Sequence, residues 1–533
     1  MKIKTLLIAI LISSMQLFAQ SFDIKVEPVS FPNLVGTQSF AFAQADGKWL
    51  IIGGRKDGLH LRQPFSSFDI AGQNNLLRVI DVANQQQWTA PLTSLSVGLQ
   101  NQLSSTNMEF YQEGNTLYLL GGYGYSSTTT TRITYDKLTA IDVAEVIDAV
   151  INNTTLVPYF RQITDAQFAV TGGHLNKIYD TYYLVGGQKF DGNYNPMGNP
   201  TYTQVYTNAI RKFQLIDDGV NITINHLPTI TDAANLHRRD YNVMPQILPN
   251  GEQGLTAFSG VFQTTADIPF LNCVNIDSSG YAVNNTFAQY YNHYHCANVP
   301  IYSESMNEMH AIFLGGIAQY YDNNGTLVQD NNVPFVKTIA RVTRDASGTM
   351  TEYKFTAEMP GYLGSSSEFI QNDNLVGFEN GVLKLDSLTN DTTLLGYIYG
   401  GINSTAANIF FSNTGTQSSA STVIYKVLLI KNTATNNSSI NKQSTNGLQL
   451  QLFPNPNNGI FSVSFFNNNN KKVRLTVRDN AGKVVYQSKL NNLQLGKNIV
   501  KIDMQNETAN AIYIVTLETE NQKATQKIII HKD

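Results

Sequence analysis

The side chains best equipped for chemistry in this chain gather in three short stretches: Thr164-Asp165, His237-Arg238-Arg239-Asp240 and His293-Tyr294-His295-Cys296. A carboxylate beside a guanidinium can orient and charge-match a polar ligand, and a histidine adds a group that changes charge near neutral pH. Asp165, Arg239, Asp240 and His295 are therefore the candidate ligand-binding residues. The competing reading is local: Arg239 and Asp240 as a loop ion pair, His295 as an exposed loop histidine, Cys296 tied to Cys273. Those two cysteines are the whole complement of the chain. In an oxidising compartment they are a candidate disulfide, and they are too few for a disulfide scaffold. No second Cys or His pair at ligand spacing accompanies Cys296, so no zinc site is expected. Asp322-Asn323-Asn324-Gly325 with Asp330 falls short of the oxygens a calcium loop needs and reads as a solvated loop. No Gly-x-Ser-x-Gly elbow, His-Glu-x-x-His pair or phosphate loop occurs. No catalytic residue is assigned, and no cofactor or metal is expected.

The elements that must position these groups are strands. Residues 20–431 show no useful helical periodicity, but they show a repeat. An apolar strand ending in a glycine pair recurs at Ile52-Gly53-Gly54, Leu120-Gly121-Gly122, Val185-Gly186-Gly187, Leu314-Gly315-Gly316 and Tyr399-Gly400-Gly401, with a weaker copy at Phe258-Ser259-Gly260. A second apolar strand follows most copies, as in Leu77-Arg78-Val79-Ile80-Asp81 before Trp88. A small polar residue, usually an amide, precedes each pair: Gln38, Asn107, Gln167, Asn242, Asn298 and Ser367. The last spacing is much longer and marks an insertion near Asn374 to Asn390. One amide per unit would form a ring lining a central channel, where the bland role is to stitch the innermost strands together.

An apolar strand closed by a glycine pair, repeated in this way, resembles the Kelch motif of β-propellers. The resemblance implies an all-β, six-bladed propeller of about 68 residues per blade, with seven blades of about 59 as the alternative division. Ring closure is expected from Phe22-Asp23-Ile24-Lys25-Val26 as the outer strand of the last blade, beside Val423 to Val427. Propellers place their sites at one mouth of the channel, on the loops entering the innermost strands. Asp165, Asp240 and Cys296 each stand two residues before an amide, on the same strand face. Kelch-containing galactose oxidases use a Tyr, a Cys and two His around copper. His293, His295 and Cys296 do not by themselves establish that geometry.

The two ends of the chain carry an address. Lys2 and Lys4 precede the apolar run Leu6 to Ile12, and Leu17-Phe18-Ala19 offers a cleavage point, so residues 1–19 read as a signal peptide. No later apolar run reaches the roughly 20 residues of a membrane span. Residues 432–447, rich in Asn, Ser and Thr, read as a linker. Residues 448–533 read as short alternating strands forming a small β-sandwich of about seven strands. Phe453-Pro454-Asn455-Pro456 with Gly459, Asp479 with Gly482-Lys483-Val484-Val485, Gly496-Lys497-Asn498, Ile512-Tyr513 and Lys527-Ile528-Ile529 resemble the type A C-terminal sorting domain of the Bacteroidota type IX secretion system. Ala511 stands where that family usually has Gly. The resemblance implies passage through the periplasm, contact with the type IX machinery, and a final place outside the cell or on the outer-membrane surface.

Composition fits an exported β protein. Charged residues are 14%, aromatics 11% and the net charge is -4, so no basic footprint points to nucleic acid. The expected function is binding of a glycan or a protein through the propeller mouth. The alternative is a carbohydrate-active enzyme of the mutarotase or oxidase type using the same face.

Overall fold

The computed structural model describes residues 22–62, 67–195, 201–323, 325–431, 448, 450–453, 457–467, 472–479, 482–491, 493–494, 496–505, 509–519 and 523–532. The expected leader, 1–19, and linker, 432–447, lie outside the described residues. The chain divides into two compact units, with the boundary between Ala434 and Thr435.

The first unit is a β-propeller of six four-stranded antiparallel blades. In chain order, innermost strand first, blade 1 is Ala41–Ala45, Lys48–Ile52, Leu76–Asp81 and Gln86–Pro91. Blade 2 is Glu109–Glu113, Thr116–Leu120, Lys137–Asp142 and Phe160–Thr164. Blade 3 is His174–Ile178, Thr181–Val185, Ala209–Asp217 and Ile222–Thr231. Blade 4 is Asn242–Ile247, Gln253–Phe258, Cys273–Ile276 and Tyr281–Asn284. Blade 5 is Asn298–Ser303, Glu308–Leu314, Thr338–Arg344 and Met350–Glu358. Blade 6 is Ser367–Gln371, Thr392–Gly400 and Ile424–Lys431, completed by the N-terminal strand Phe22–Val29. Phe22 pairs with Lys431 and Val29 with Ile424, so the first strand and the last share one blade. The ring closes as the sequence suggests, which leaves no blade edge open between the termini.

Alternation along the second strands explains why they read as unbroken apolar runs. Leu50 and Ile52 join the core between blades 1 and 2, while Trp49 and Ile51 join the core between blades 6 and 1. Leu117 and Leu119 face blade 1, whereas Tyr118 and Leu120 face blade 3. Both faces of such a strand are buried, one against each neighbouring blade, so no polar position is needed.

The glycine pairs bind blade to blade. The amide of the second glycine donates to the segment entering the next blade in all six: Gly54 to Ser105, Gly122 to Val170, Gly187 to Arg238, Gly260 to His293, Gly316 to Leu363 and Gly401 to Thr37, at 2.8–3.2 Å. The first glycine makes that approach feasible. Gly121 has φ +61, and a Cβ there would lie 2.0 Å from the Val170 carbonyl oxygen.

Two features depart from the sequence reading. A ten-residue helix, Val143–Asn152, sits between the third and fourth strands of blade 2. Val143, Val146, Ile147 and Val150 form its buried stripe under blade 1. The insertion of blade 6 also reaches its neighbours: Leu383 pairs parallel with Ile301 of blade 5, and Asn380 Nδ2 donates to the Gln246 carbonyl of blade 4 at 3.1 Å.

The second unit is a sandwich of two sheets. One holds Gln451–Phe453, Ile460–Asn467 and Gly496–Asp503; the other holds Val484–Leu490, Val473–Arg478, Ala511–Glu518 and Lys523–Ile530. Phe461, Val463 and Ile502 of the first pack against Leu475, Val477, Val515 and Ile528 of the second. These are the seven strands the alternation suggests. Among the described residues no helix is long and apolar enough to cross a membrane.

Candidate functional site: the axial channel

One residue from each blade forms the waist of the channel. Backbone amides link them in a closed circle: Asn107 to Ser39, Gly172 to Asn107, Asp240 to Gly172, His295 to Asp240, Ser366 to His295 and Ser39 to Ser366, at 2.8–3.2 Å. Five of the six have positive φ, between 49° and 70°, and His295 does not. A left-handed residue at this point turns the chain from the entering loop into the innermost strand and aims its amide at the preceding blade. The circle satisfies backbone groups that the crowded axis would otherwise strand.

A chamber opens on either side of the waist. Ser39, Asn107, Asp240 and His295 line both. One chamber, about 810 Å³, is built by loops: the segments entering the innermost strands and the long connections after the glycine pairs. The other, about 580 Å³, is built mainly by the innermost strands themselves.

Arg239, Asp240 and His295 come together at the floor of the loop-built chamber. Arg239 donates to Asp240 and, through Nε, to the Tyr206 hydroxyl at 2.9 Å. Its guanidinium lies 5.2 Å from the centroid of Phe262. Burial opposes charge on Arg239, but Asp240 outweighs it and holds the group firmly protonated. Burial likewise opposes charge on His295, and the Glu368 carboxylate, 2.9 Å from Nε2, raises its pKa nevertheless. The walls are aromatic. Tyr206 stacks on His237 at 3.7 Å, Phe190 on Tyr202 at 4.6 Å, and Phe411 stands 71% exposed with Arg62 over its ring. Burial brings His60, which stacks on Phe68, down to about 4, so this wall carries a neutral imidazole at pH 7.

Asp165 does not join them. It caps the 3-10 turn Ala166–Phe168 through the Gln167 amide and bonds His226 Nε2 at 2.5 Å on the outer strand of blade 3. Gln167 also leaves the channel: its carbonyl accepts from Arg211. The turn displaces the repeat, and Thr171-Gly172 fill the axial place in blade 3. The other amides divide. Asn107 belongs to the waist itself. Gln38 is buried at the loop-built chamber, with Nε2 donating to the Gly58 carbonyl at 3.2 Å. Asn298 lines the strand-built chamber and also stitches blade 5 to blade 4, its Nδ2 donating to Asn242 Oδ1 at 3.2 Å. Asn242 stitches, as an interior amide should: Nδ2 donates to the Tyr294 carbonyl at 3.0 Å and Oδ1 accepts the Cys296 amide at 3.1 Å.

Asn242 belongs to a set whose other members, Glu109, His174 and Glu368, the sequence does not single out. Two residues past the waist, Glu109 accepts the Gly173 amide at 2.8 Å and His174 Nε2 donates to the Tyr241 carbonyl. Each such side chain ties its blade to the next. Glu368, in the same place of blade 6, ties back to His295 of blade 5. Their spacing from Asn107, Gly172, Asp240 and Ser366 is uniform, but it is visible only once those waist residues are aligned.

The cysteines are not bridged. Both are free and buried. Cys273 Sγ donates to Met350 Sδ at 3.5 Å, and Cys296 Sγ lies 3.8 Å from Asn242 Nδ2. Burial pushes both thiols up to about 12, leaving them unreactive. His293 is a core histidine, accepting the Gln319 amide at Nδ1 (3.0 Å) and donating to the Gln289 carbonyl from Nε2 (2.9 Å). Asp322 faces Lys354 at 3.6 Å in a blade-5 hairpin. Among the described residues no group of three His, Cys, Asp or Glu is gathered as a metal would require.

Residues 451–531 match the secretion system C-terminal sorting domain. That match makes the second unit an export signal: the chain is delivered to the cell surface or released beyond it. No curated protein matches the chain. Among solved structures it is similar to a fungal alcohol oxidase of the AA5 family in complex with copper, at 10% identity and a TM-score of 0.37, over 95% of this chain and 99% of that one. It is also similar to YjhT, at 11% identity and a TM-score of 0.38, over 61% of this chain and 86% of that one. A third is a sucrose-6-phosphate hydrolase from Lactobacillus gasseri, at 8% and 0.28, over 94% and 88%. Likenesses this distant carry no argument about the channel.

Proposed function

We propose that the chain enters the periplasm by the leader in residues 1–19, leaves by the type IX route through residues 448–533, and binds a glycan through the loop-built mouth of a Kelch-like propeller. The observation that carries the binding reading is the pairing of exposed and stacked aromatic rings with a polar floor. Phe411, Tyr206 and Phe262 offer faces on which a sugar ring can stack, and Arg239, Asp240, Asn107 and Ser39 offer donors and acceptors beneath. A cavity of about 810 Å³ suits a ligand larger than one sugar ring.

The experiment is a glycan-array screen followed by calorimetry on the full chain. Phe411→Ala and Arg239→Lys should each weaken the bound glycan about tenfold while the fold melts at nearly the wild-type temperature. Saturable binding of a protein but of no glycan would replace the ligand class and keep the mouth. Binding that survives both substitutions would remove the mouth as the site.

One observation favours a second reading, a carbohydrate-active enzyme. Asp240, Arg239 and His295 meet at the floor, Arg239 paired with Asp240 and His295 backed by Glu368 from the far side of the waist. Proton NMR of the bound sugar over time separates the two: a new species, or faster exchange between anomers that Asp240→Asn abolishes, marks catalysis.

A further inference from the structure

The strand-built chamber differs in charge from the mouth. Among the described residues that line it there is no Lys or Arg, but Glu109, Asp240, Glu368, Asp373 and Glu379 all face it. Asp240 is matched by Arg239 and Glu368 by His295. Glu109 is not matched. It is 2% exposed, its Oε1 accepts one backbone amide, and its Oε2 has no partner. Burying a carboxyl group without an opposite charge is costly, and a cation held nearby in the chamber would offset part of that cost.

The aromatic rings of this chamber are ordered. Phe42, Phe110 and Phe369 each lie three residues past the waist, on blades 1, 2 and 6, which are consecutive around the ring. Phe42 and Phe110 meet edge to face at 5.3 Å. Phe42 and Phe110 form one joined aromatic face, and Phe369 lines the same chamber at the same register on the adjoining blade. The blade-6 insertion adds Asp373 and Glu379 at the opening.

We propose that this chamber is a second ligand site, separate from the loop-built mouth, and that it takes an organic ammonium group. A cation is attracted to the faces of phenyl rings, most strongly when desolvated, and quaternary or methylated ammonium groups are held in aromatic cages of this kind. The carboxylates supply the opposite charge, and the absence of lysine and arginine from the lining removes repulsion. Burial pushes the Glu109 carboxyl up to about 8, so the empty site keeps it protonated through neutral pH. An ammonium ligand beside it would favour the carboxylate, and binding would release a proton. The ammonium can arrive on a small molecule or on a lysine side chain of a peptide; the chemistry recognised is the same.

The test titrates the purified full chain calorimetrically with choline, with its neutral isostere 3,3-dimethylbutan-1-ol, and with a lysine-containing tripeptide. Saturable binding of choline or of the lysine peptide, and none of the isostere, is expected; which of the two binds identifies the source. Phe369→Leu and Glu109→Gln should each weaken binding about tenfold, with thermal melting confirming that each variant is folded. Glu109→Gln should also abolish the proton release, read as a difference in heat between buffers of different ionisation enthalpy. Equal binding of the isostere, undiminished affinity in both folded variants, or no saturable binding of either cation would overturn the proposal.

Discussion

The two ends of the channel are made from different parts of the same repeat. At one end, each blade contributes its innermost strand in constant register, so Phe42, Phe110 and Phe369 recur at one height. At the other, each blade contributes the connection after its glycine pair, and these connections differ in length and course: blades 2, 3, 5 and 6 carry hairpins at Tyr123–Ser126 with Thr131–Thr134, Gln188–Gly192 with Tyr202–Tyr206, Tyr320–Asn323 with Thr326–Gln329, and Ile402–Ser404 with Ser418–Ala420. The contrast shows where individuality is free to enter. Strands near the axis are held by neighbours on both sides and must repeat, whereas connections on the mouth are free to differ. What the ends share is the closed ring of blades, and the largest expected effect is to break one of its joints.

Gly121→Val places a branched side chain at φ +61, with its Cβ 2.0 Å from the Val170 carbonyl oxygen. The inter-blade bond from Gly122 would be lost with it. The expected cost is about 4 kcal/mol or more, enough to abolish soluble protein and both chambers together. The comparison position is Ser259, the one non-glycine in the set, at φ 50, whose hydroxyl donates to the Phe270 carbonyl at 2.6 Å. Ser259→Gly should cost far less, roughly 1 kcal/mol for the lost hydrogen bond. Soluble yield and melting temperature check both. A well-folded Gly121→Val protein would show that the glycine pairs are not what joins the blades.

The same contrast explains what the sequence made legible. The glycine pairs mark the ends of the second strands, and the apolar run at Phe22 to Val26 marks ring closure, because both are imposed by close packing that few residues satisfy. The waist escaped because a left-handed residue interrupts the alternation of a strand. Counting back by two from Asn242 reached Asp240 correctly, but counting from Gln167 reached Asp165, since the turn Ala166–Phe168 intervenes. The helix Val143–Asn152 was present in the pattern Val143, Val146, Ile147, Val150, yet it is a single insertion in one blade and no repeat exposes it. The mouth aromatics had no legible signal, because Tyr206, Phe262 and Phe411 meet only through folding.

The next effect, smaller for each unit of pH, separates the ends by pH. Burial raises Glu109 from 4.5 to about 8, with Asp240 adding to the shift and Arg211 opposing it. The folded state thus binds this proton more tightly than the unfolded state does. The contribution to stability is complete below pH 4.5 and is lost as pH rises to about 8. Glu109→Gln keeps an acceptor for the Gly173 amide and removes the titration. The variant should therefore gain on wild type as pH rises, on the order of 1.4 kcal/mol per pH unit over that window. Urea denaturation at several pH values measures the difference, in which the opposite behaviour of His174, held down to about 3 by burial and then by His295, cancels. A constant difference between the two proteins would mean that Glu109 is ionised when folded.

Smaller still is the effect of losing a stitch. Asn242→Ala should cost about 1–3 kcal/mol, because the Tyr294 carbonyl and the Cys296 amide lose a buried partner. Asn298→Ala should cost less than half as much, because its position is partly exposed and the Asn242 Oδ1 it leaves still accepts the Cys296 amide. Equal costs would return the two amides to a single structural ring and erase the distinction between interior stitch and chamber lining.

The smallest expected effect concerns the cysteines, and its value lies in being zero. Cys273 belongs to the third strand of blade 4, and Cys296 leads into blade 5, so a bridge between them would fasten those blades beside the waist. The structure instead gives each sulfur its own partner in one apolar cluster with Met244, Phe258 and Phe313. Packing there is by volume, and a thiol buried this way behaves as a small apolar group. Reductant should then leave the melting temperature unchanged, and unfolding in denaturant with an alkylating reagent should label two thiols per chain without prior reduction. The native protein should label slowly, since burial holds both thiols up to about 12 and keeps them from the reagent. A single bridged species in non-reduced peptide maps would overturn this, and would make the joint between blades 4 and 5 covalent where the other five rest on the glycine-pair amides and packing alone.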